Sequence, residues 1–259
     1  MYHIEKSIKN IIKYSFSSSI NNTIHIGYGI DNNYVRCCST SIVSFCENNP
    51  HQNFHFHIVS SSLTKDSINK LKALAQQHNI NINIYIIDNT YFNKLPTKKA
   101  FPISMYFRFL LPVLNKNLSK IIYVDADIIC LNNIQELLSI NLENNIIAAV
   151  PDTKDMNQSR NNALNLKNHI YFNSGMLLIN IQEWNKYNIS NKLIEILSTT
   201  SYDFKFPDQD ALNLILTQKI AYLPKKFNYF NGFILGIKTV LLIKKSFYYI
   251  LHLLQSHGI

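Results

Sequence analysis

The sequence predicts a single α/β domain with a mixed, mostly parallel, Rossmann-like sheet and helices on both of its faces. Strand and helix signals alternate from residue 23 onward, which is typical of that architecture. The β-branched run 120–124 predicts a strand buried in the centre of such a sheet. The chain has 259 residues, 47% of them hydrophobic and 16% charged, which suits one large core and excludes a disordered protein.

The first half of the chain predicts three strands that alternate with two helices. Strand 54–59 alternates histidine with apolar residues. Ile68, Leu71 and Leu74 recur at helical spacing behind Thr64, which is a suitable N-cap. In chain order the predicted elements are strand 23–27, helix 34–46, strand 54–59, helix 66–78 and strand 80–87.

The second half continues the alternation. Segment 103–111 is predicted to be helical and to stop at Pro112, because the residue before a proline is disfavoured in a helix. Residues 151–169 are polar and rich in asparagine, and no element is assigned to them. The other predicted elements are strand 120–124, helix 134–138, strand 146–150, strand 176–179, helix 183–197 and helix 209–216.

Asp125 and Asp127 directly follow the central strand. Open α/β sheets bind their ligands at the carboxyl ends of such strands. Two carboxylates there suit Mg²⁺ or Mn²⁺, and such a metal usually completes its coordination with the phosphate oxygens of a substrate. The alternative for an isolated Asp-x-Asp is a turn cap, so the interpretation as a metal site depends on the neighbouring motifs.

Two motifs precede these carboxylates. Gly27 and Gly29 follow the first strand signal, but Asn32 stands where a dinucleotide-binding loop needs its third glycine, so NAD binding is disfavoured and a tight turn is the alternative. Arg108 lies in an almost wholly apolar segment, and a buried arginine must meet an anion. We expect it to pair with a carboxylate such as Asp125, to reach an anionic substrate, or both.

Two motifs follow the carboxylates. Asn173-Ser174-Gly175 precedes an apolar strand, and Asp208-Gln209-Asp210 opens a helix. Ordinary turn chemistry is the alternative for the first motif. Capping is the alternative for the second, because acidic residues are favoured at a helix amino terminus, and a structural role stays open for Asp210.

In this order and at these spacings, the five motifs resemble those of family 8 retaining glycosyltransferases. The likeness is greatest to bacterial lipopolysaccharide core hexosyltransferases, which move glucose or galactose from a UDP-sugar, and it extends over about residues 23–230. It implies a nucleotide-sugar-binding domain of the GT-A type over 23–233, with an N-terminal extension, 1–22, and an apolar and basic tail, 234–259. It also implies Mn²⁺ or Mg²⁺, UDP-glucose or UDP-galactose as donor, and a lipopolysaccharide core acceptor.

The resemblance assigns roles residue by residue. Asp31 would bond the uracil ring, Asp208 would bond hydroxyls of the donor sugar, and Gln209 would lie on the β-face of that sugar. Because an amide is a weak nucleophile, front-face substitution fits better than a covalent glycosyl-enzyme. The implied catalytic residues are Asp208, Gln209, Arg108 and Asn173. The implied donor-binding residues are Tyr28, Gly29, Asp31, Asn33, Asp125, Ala126 and Ser174, and the implied metal ligands are Asp125 and Asp127.

The carboxyl-terminal stretch departs from the family pattern. The resembling family has there a histidine that is a third metal ligand and a lysine that meets the diphosphate, in a run like Ile-His-Tyr-Thr-Gly-x-x-Lys-Pro-Trp-His. Either His252 stands in for that histidine, or the tail is out of frame. One permitted codon choice for residues 250–259, read from the third base, gives Phe-Thr-Phe-Thr-Ala-Lys-Pro-Trp-His. In the second case we expect a catalytically impaired protein that keeps at most UDP binding.

Charge and cysteine use bear on partners and location. The formal net charge of +9 predicts attraction to a nucleotide diphosphate or a phosphorylated lipid surface, whereas nucleic acid is disfavoured because no aromatic-basic recognition motif is present. The four cysteines form no C-x-x-C pair and are interpreted as free thiols in a reducing compartment. No signal peptide or spanning helix is predicted. We therefore expect a cytoplasmic protein, with peripheral contact at the cytoplasmic face of the inner membrane implied by a lipid-anchored acceptor.

Histidines 51, 55 and 57 form a conspicuous group. His55 and His57 share one face of a predicted strand. True metal sites need supporting partners, and the neighbouring sequence offers no carboxylate for them. Half-exposed strand histidines are therefore the preferred interpretation.

Overall fold

The computed structural model describes residues 4–17, 22–98, 101–199 and 202–229. The strands are β1 (Ile8–Ser15), β2 (Thr23–Gly29), β3 (Asn53–Ser60), β4 (Asn81–Ile87), β5 (Lys120–Val124), β6 (Ile147–Pro151), β7 (Phe172–Asn180) and β8 (Ile220–Tyr222). They form one eight-stranded sheet in the spatial order β1-β4-β3-β2-β5-β7-β6-β8.

Helices fill most connections between the strands. The α-helices are α1 (Val35–Asn48), α2 (Lys65–Gln77), α3 (Leu111–Leu114), α4 (Gln135–Leu138), α5 (Lys154–Ala163), α6 (Ile181–Lys186), α7 (Ile189–Thr199) and α8 (Pro207–Ile215). Described 3₁₀ segments are Ile4–Ser7, Asn32–Tyr34, Asn89–Phe92, Ile103–Leu110 and Lys225–Phe227. Thr64 caps α2 as predicted, because its Oγ1 accepts from the Ser67 N–H at 3.2 Å.

The sheet is mixed, as predicted. Strands β4, β3, β2 and β5 run parallel to one another, and β8 runs parallel to β6. Strand β7 lies antiparallel between β5 and β6, and β1 is antiparallel to β4 at the edge. Because β7 runs against β5, the beginning of β7 lies beside the end of β5. This arrangement places two of the sequence motifs side by side.

Each face of the sheet carries its own apolar core. One core joins Ile42 of α1 and Leu71 of α2 to Phe56 of β3. The other core contains Phe107, in the 3₁₀ segment before β5, and Trp184 of α6, both of which are fully buried. The predicted helices on both faces are therefore confirmed.

The segment before β5 differs from its prediction. It forms a 3₁₀ helix over Ile103–Leu110 and continues as α3, so the expectation of a stop at Pro112 is wrong. Pro112 lies in the first turn of α3, where its missing N–H removes no hydrogen bond. Gly29 allows the 3₁₀ segment to approach β2, since a Cβ there would lie 3.0 Å from the Ser104 carbonyl oxygen.

Three other segments differ from the sequence analysis. The segment 1–22 contributes β1 to the sheet edge. The unassigned segment 151–169 contains α5. The predicted helix 183–197 is divided into α6 and α7 around Asn188, whose φ of 52° is incompatible with a continuous right-handed helix. The tail 234–259, with His252, lies outside the described residues.

Candidate active site

The end of β5 and the beginning of β7 bring Asp125 next to the Asn173-Ser174-Gly175 motif. The Asp125 N–H donates to the Gly175 carbonyl oxygen at 2.8 Å. A Cβ at Gly175 would lie 3.1 Å from Asp125 Oδ2 and 3.0 Å from Asn173 Oδ1. Glycine at this position therefore leaves that carboxylate oxygen uncovered.

Arg108 links three of the predicted motifs. Its Nη2 lies 2.9 Å from Asp125 Oδ1 and 3.1 Å from Asp208 Oδ2. Its Nη1 donates to the Ser174 carbonyl oxygen at 2.8 Å and to Ser174 Oγ at 3.0 Å, and its Nε donates to the Met105 carbonyl oxygen at 2.9 Å. The side chain is only 6% exposed. The predicted pairing of a buried arginine with Asp125 is confirmed, and Asp208 is a second partner.

Tyr123 supports this ion pair from within β5. Its ring lies under the Arg108 guanidinium, 4.4 Å from the ring centroid, and its hydroxyl donates to Asp125 Oδ1 at 2.5 Å. Burial raises the pKa of the Asp125 carboxyl to about 6, although Arg108 and Tyr123 act in the opposite direction. Burial lowers the pKa of Arg108, but Asp208, Tyr123 and Asp125 raise it more. Arg108 is therefore a fixed positive charge at this edge of the sheet.

Two hydrogen bonds hold the Gln209 side chain in one orientation beside Ser174. Its Oε1 accepts from the Ser174 N–H at 2.9 Å, and its Nε2 donates to Asp152 Oδ2 at 3.0 Å. Asn173 Nδ2 donates to the same Asp152 oxygen at 3.3 Å. Asp152 was not predicted as a site residue from the sequence. Its position could have indicated it, because Asp152 directly follows the buried strand β6, just as Asp125 follows β5.

The Asp208-Gln209-Asp210 motif divides between the site and the core. Asp208 faces Arg108, whereas Asp210 is fully buried and pairs with Arg160 of α5, with Nε–Oδ1 and Nη2–Oδ2 distances of 3.0 and 2.7 Å. Asp210 also accepts from the Tyr171 hydroxyl and the Phe206 N–H. Asp210 therefore has the structural role that the sequence analysis left open.

Asp125 and Asp127 present carboxylate oxygens at the rim of the site. The Asp125 bonds to Arg108 and Tyr123 use Oδ1, while Oδ2 faces the bare backbone of Gly175. Asp127 is exposed, and Ala126 between them packs into the core. Two hard oxygen donors at an open edge fit the predicted Mg²⁺ or Mn²⁺.

The turn after β2 carries the residues predicted to bind the nucleoside. The Tyr28 side chain points away into the core, where its hydroxyl lies 3.0 Å from Ser41 Oγ, so only its backbone remains at the turn. Asp31 caps this turn, since its Oδ1 accepts from the Asn33 N–H at 2.8 Å. Gly27 and Gly29 lie in strand β2 without a positive φ, so the glycine turn that the sequence left as an alternative is not formed by them. The Asp31 cap leaves Oδ2 for a ligand.

The fold is that of a GT-A-type glycosyltransferase. The structure superposes with a TM-score of 0.72 on the galactosyltransferase LgtC, solved with donor and acceptor sugar analogs, at 22% identity over 78% of this chain and 74% of that one. It superposes with a TM-score of 0.66 on the bifunctional glycosyltransferase WbbM, at 22% identity over 82% of this chain and 40% of that one. These likenesses confirm the predicted fold class.

The chain belongs to glycosyltransferase family 8, since residues 25–246 match the family model described as glycosyl transferase family 8. It is 35% identical to a lipopolysaccharide 1,2-glucosyltransferase of Escherichia coli, over 88% of this chain and 67% of that protein. It is 33% identical to a lipopolysaccharide 1,3-galactosyltransferase of Salmonella typhimurium, over 88% of this chain and 70% of that protein. The predicted family and enzyme class are confirmed, and the chain spans about two thirds of the length of these relatives.

Proposed function

We propose that this enzyme transfers a hexose, glucose or galactose, from a UDP-sugar to a lipopolysaccharide core oligosaccharide, with retention of anomeric configuration and with a divalent metal. The observation that carries the proposal is the buried guanidinium of Arg108 between Asp125 and Asp208, beside open carboxylate oxygens. Relatives that are 35% and 33% identical carry the names of a lipopolysaccharide glucosyltransferase and galactosyltransferase, which supports the acceptor class.

Asp125 and Asp127 are the proposed metal ligands. When bound, Mn²⁺ or Mg²⁺ would screen the diphosphate charge that develops as the sugar–phosphate bond breaks. Arg108 contributes here by holding the Asp125 carboxylate through Oδ1, which leaves Oδ2 available for the metal. Its positive charge also favours an anionic donor at this edge.

Asp208 and Gln209 are proposed to position the donor sugar. Asp208, fixed by Arg108, would accept hydrogen bonds from sugar hydroxyls. The Gln209 carbonyl oxygen already accepts from the Ser174 N–H, which makes this weak nucleophile less available still. The acceptor hydroxyl would therefore attack the anomeric carbon on the face from which UDP leaves, and its proton would pass to the departing phosphate oxygen. Asn173 and Ser174 would line the same pocket.

The nucleoside is proposed to bind at the turn after β2. Asp31 would accept the uracil N3–H, with Asn33 and the backbone of Tyr28 and Gly29 around the base and ribose. Ala126 would contact the donor through its backbone, because its side chain is directed to the core. The uracil contact makes a prediction about base selectivity.

Asp31→Asn is expected to weaken UDP binding by about tenfold to hundredfold, because it removes a hydrogen bond to a charged group that contributes about 1.5–3 kcal/mol of binding free energy. Asparagine caps turns as well as aspartate does, so the turn should persist. Asp88→Asn is the matched control, since Asp88 caps a 3₁₀ turn in the same way, with Oδ1 accepting from the Thr90 N–H. The measurement is calorimetry with UDP and CDP without metal. Equal binding of UDP and CDP by the parent protein would show that Asp31 does not read the base.

Gly175→Ala is expected to weaken metal-dependent UDP binding by about 10–100-fold, because the new Cβ would displace the Asp125 carboxylate that it crowds. UDP binding in EDTA should change little. The control is Gly27→Ala, whose Cβ would crowd the buried Leu111 side chain at 2.5 Å and so reports packing strain without contact to a carboxylate. Unchanged Mn²⁺-dependent affinity in Gly175→Ala would argue against Asp125 Oδ2 as a ligand.

A UDP-release assay tests the proposed function itself. UDP-glucose and UDP-galactose are supplied in turn with a truncated lipopolysaccharide core, first with Mn²⁺ and then with EDTA, and GDP-mannose is the control donor. We expect acceptor-dependent release from one UDP-hexose, lost in EDTA. UDP binding without release would favour the impaired protein that the sequence analysis left as the alternative.

The site of action follows from the proposed acceptor. A lipid-anchored acceptor requires work at a membrane surface, and we propose the cytoplasmic face of the inner membrane. The formal net charge of +9 would favour contact with anionic lipid. Among the described residues, no helix has both the length and the apolar character needed to cross a bilayer.

A further inference from the structure

Three histidines from adjacent strands lie together on one face of the sheet, near the amino-terminal ends of β2 and β3. The parallel register pairs His25 with His55 and Gly27 with His57. One ring nitrogen from each of the three side chains lies within 4.8 Å of the others. These three residues are here called the histidine cluster. Asp125 follows the carboxyl end of the parallel strand β5, whereas His25 and His55 lie near the amino-terminal ends of their strands, so the cluster is distinct from the candidate active site.

Hydrogen bonds connect His57 to Tyr85 and, through it, to Asn115. The Tyr85 hydroxyl donates its proton to Asn115 Oδ1 at 3.2 Å, and the Asn115 amide orientation is set because its Nδ2 donates to the Leu111 carbonyl oxygen. In this arrangement Tyr85 accepts from His57 Nδ1, 3.0 Å away, which is the tautomer that a metal at His57 Nε2 requires. His57 Nε2 then carries a lone pair that points at His25 Nδ1, 3.0 Å away. A metal-binding histidine usually donates its other ring N–H to an oxygen, most often of a carboxylate, a backbone carbonyl or water, and the Tyr85 hydroxyl oxygen takes that position here.

His55 supplies a nitrogen that needs a ligand. Its ring stacks on that of His57, with centroids 4.4 Å apart. Its Nε2 is buried and has no hydrogen-bond partner, an unusual condition for a buried nitrogen. Burial lowers the pKa of His25 to about 4 and also lowers the pKa values of His55 and His57, so all three imidazoles are neutral near pH 7 and can donate lone pairs.

We propose that His25, His55 and His57 bind a divalent transition metal of the zinc class. Tetrahedral Zn²⁺ with Zn–N bonds of about 2.0–2.1 Å needs nitrogens about 3.3 Å apart, which small side-chain rotations can provide. The neutral His25 would shift its proton to its other ring nitrogen. Imidazole ligands favour Zn²⁺ over Mg²⁺ and Mn²⁺, the ions that suit Asp125 and Asp127.

Water would complete the tetrahedral coordination as the fourth ligand. The bound metal would tie β2 to β3 and stabilise the folded state, since a metal that binds the folded chain more tightly than the unfolded chain raises Tm. Half-exposed strand histidines were preferred from the sequence because no carboxylate lies near them. In the structure, a third imidazole from His25 and a hydroxyl oxygen from Tyr85 come from other strands instead.

The test is titration of the full chain with Zn²⁺ alone by calorimetry, with Co²⁺ absorption as a reporter of tetrahedral nitrogen ligands. We expect one tight Zn²⁺ per chain in the parent, and an affinity at least about 100-fold weaker in His25→Gln and His55→Gln. Tyr85→Phe, which keeps all three ligands, should bind about 10–100-fold more weakly. His51→Gln is the matched control, because His51 is an exposed histidine in the turn between α1 and β3, and its replacement should leave binding unchanged.

Folding of each variant is checked by circular dichroism, and Zn²⁺ should raise the Tm of the parent but not that of His55→Gln. Zn²⁺ binding of parental affinity in both His25→Gln and His55→Gln would overturn the proposal. So would the absence of Zn²⁺ binding by the parent, or loss of the tight site in Asp127→Asn instead. Parental Zn²⁺ affinity in Tyr85→Phe would contradict the assigned role of that hydroxyl.

Discussion

Asp127→Asn is expected to lower Mn²⁺-dependent hexose transfer by about 10²–10³-fold with little change in stability. Its carboxylate is exposed and proposed to contact only the metal, and losing one charge-stabilising group commonly costs that factor in rate. Asp125→Asn should lose at least as much activity. It should also lower the free energy of unfolding, because Arg108 loses one of its two carboxylate partners in a buried setting.

Transfer rates, Mn²⁺-dependent UDP affinity and urea unfolding are measured for both variants. Asp155→Asn is the matched control, since Asp155 is an exposed aspartate on α5, and it should behave like the parent. Unchanged Mn²⁺-dependent UDP affinity in either site variant would refute its assignment as a metal ligand.

Arg160→Met should destabilise the protein by about 3–5 kcal/mol, because it leaves the fully buried Asp210 carboxylate without its cation. For a chain of this size the loss corresponds to a fall in Tm of roughly 6–20 °C. Arg160 connects α5 to α8, so the effect is on the fold that carries Asp208 and Gln209 and not on a substrate contact.

Arg36→Met serves as the control for this prediction. Arg36 is exposed on α1, and its replacement should change the free energy of unfolding by no more than about 0.5 kcal/mol. Arg160→Lys keeps the positive charge but loses the two-point contact with Asp210. Its free energy of unfolding should lie between those of Arg160→Met and Arg36→Met. Similar unfolding curves for Arg160→Met and Arg36→Met would contradict the structural role of the ion pair.

The grouping of residues at the candidate active site was predictable because its signals are local. Asp125 follows a β-branched apolar run that predicts a buried strand, and Arg108 stands in an apolar segment where an unpaired charge is too costly. Asp208 and Gln209 begin a helix behind Pro207, a favoured first helical residue. The second partner of Arg108, Asp208, is far away in the sequence, and only the structure shows that the two side chains meet.

Features that depend on distant partners were missed. Strand β1 is an edge strand with mostly exposed side chains, and only its pairing with β4 defines it. Helix α5 is rich in poor helix formers, and the contact of Arg160 with Asp210 stabilises it from outside. The histidine cluster needed His25, which precedes its partners by a helix and a loop. Local periodicity carries no information about such neighbours.

The central claim is that Asp125, Asp127, Arg108, Asp208 and Gln209 together perform retaining hexose transfer from a UDP-sugar. The most direct test is nuclear magnetic resonance of the product formed from an α-linked UDP-hexose and a truncated lipopolysaccharide core in the presence of Mn²⁺. The account predicts an α-linked hexose on the core, formed by the parent and not in EDTA. A β-linked product, or transfer that is undiminished in EDTA, would contradict it.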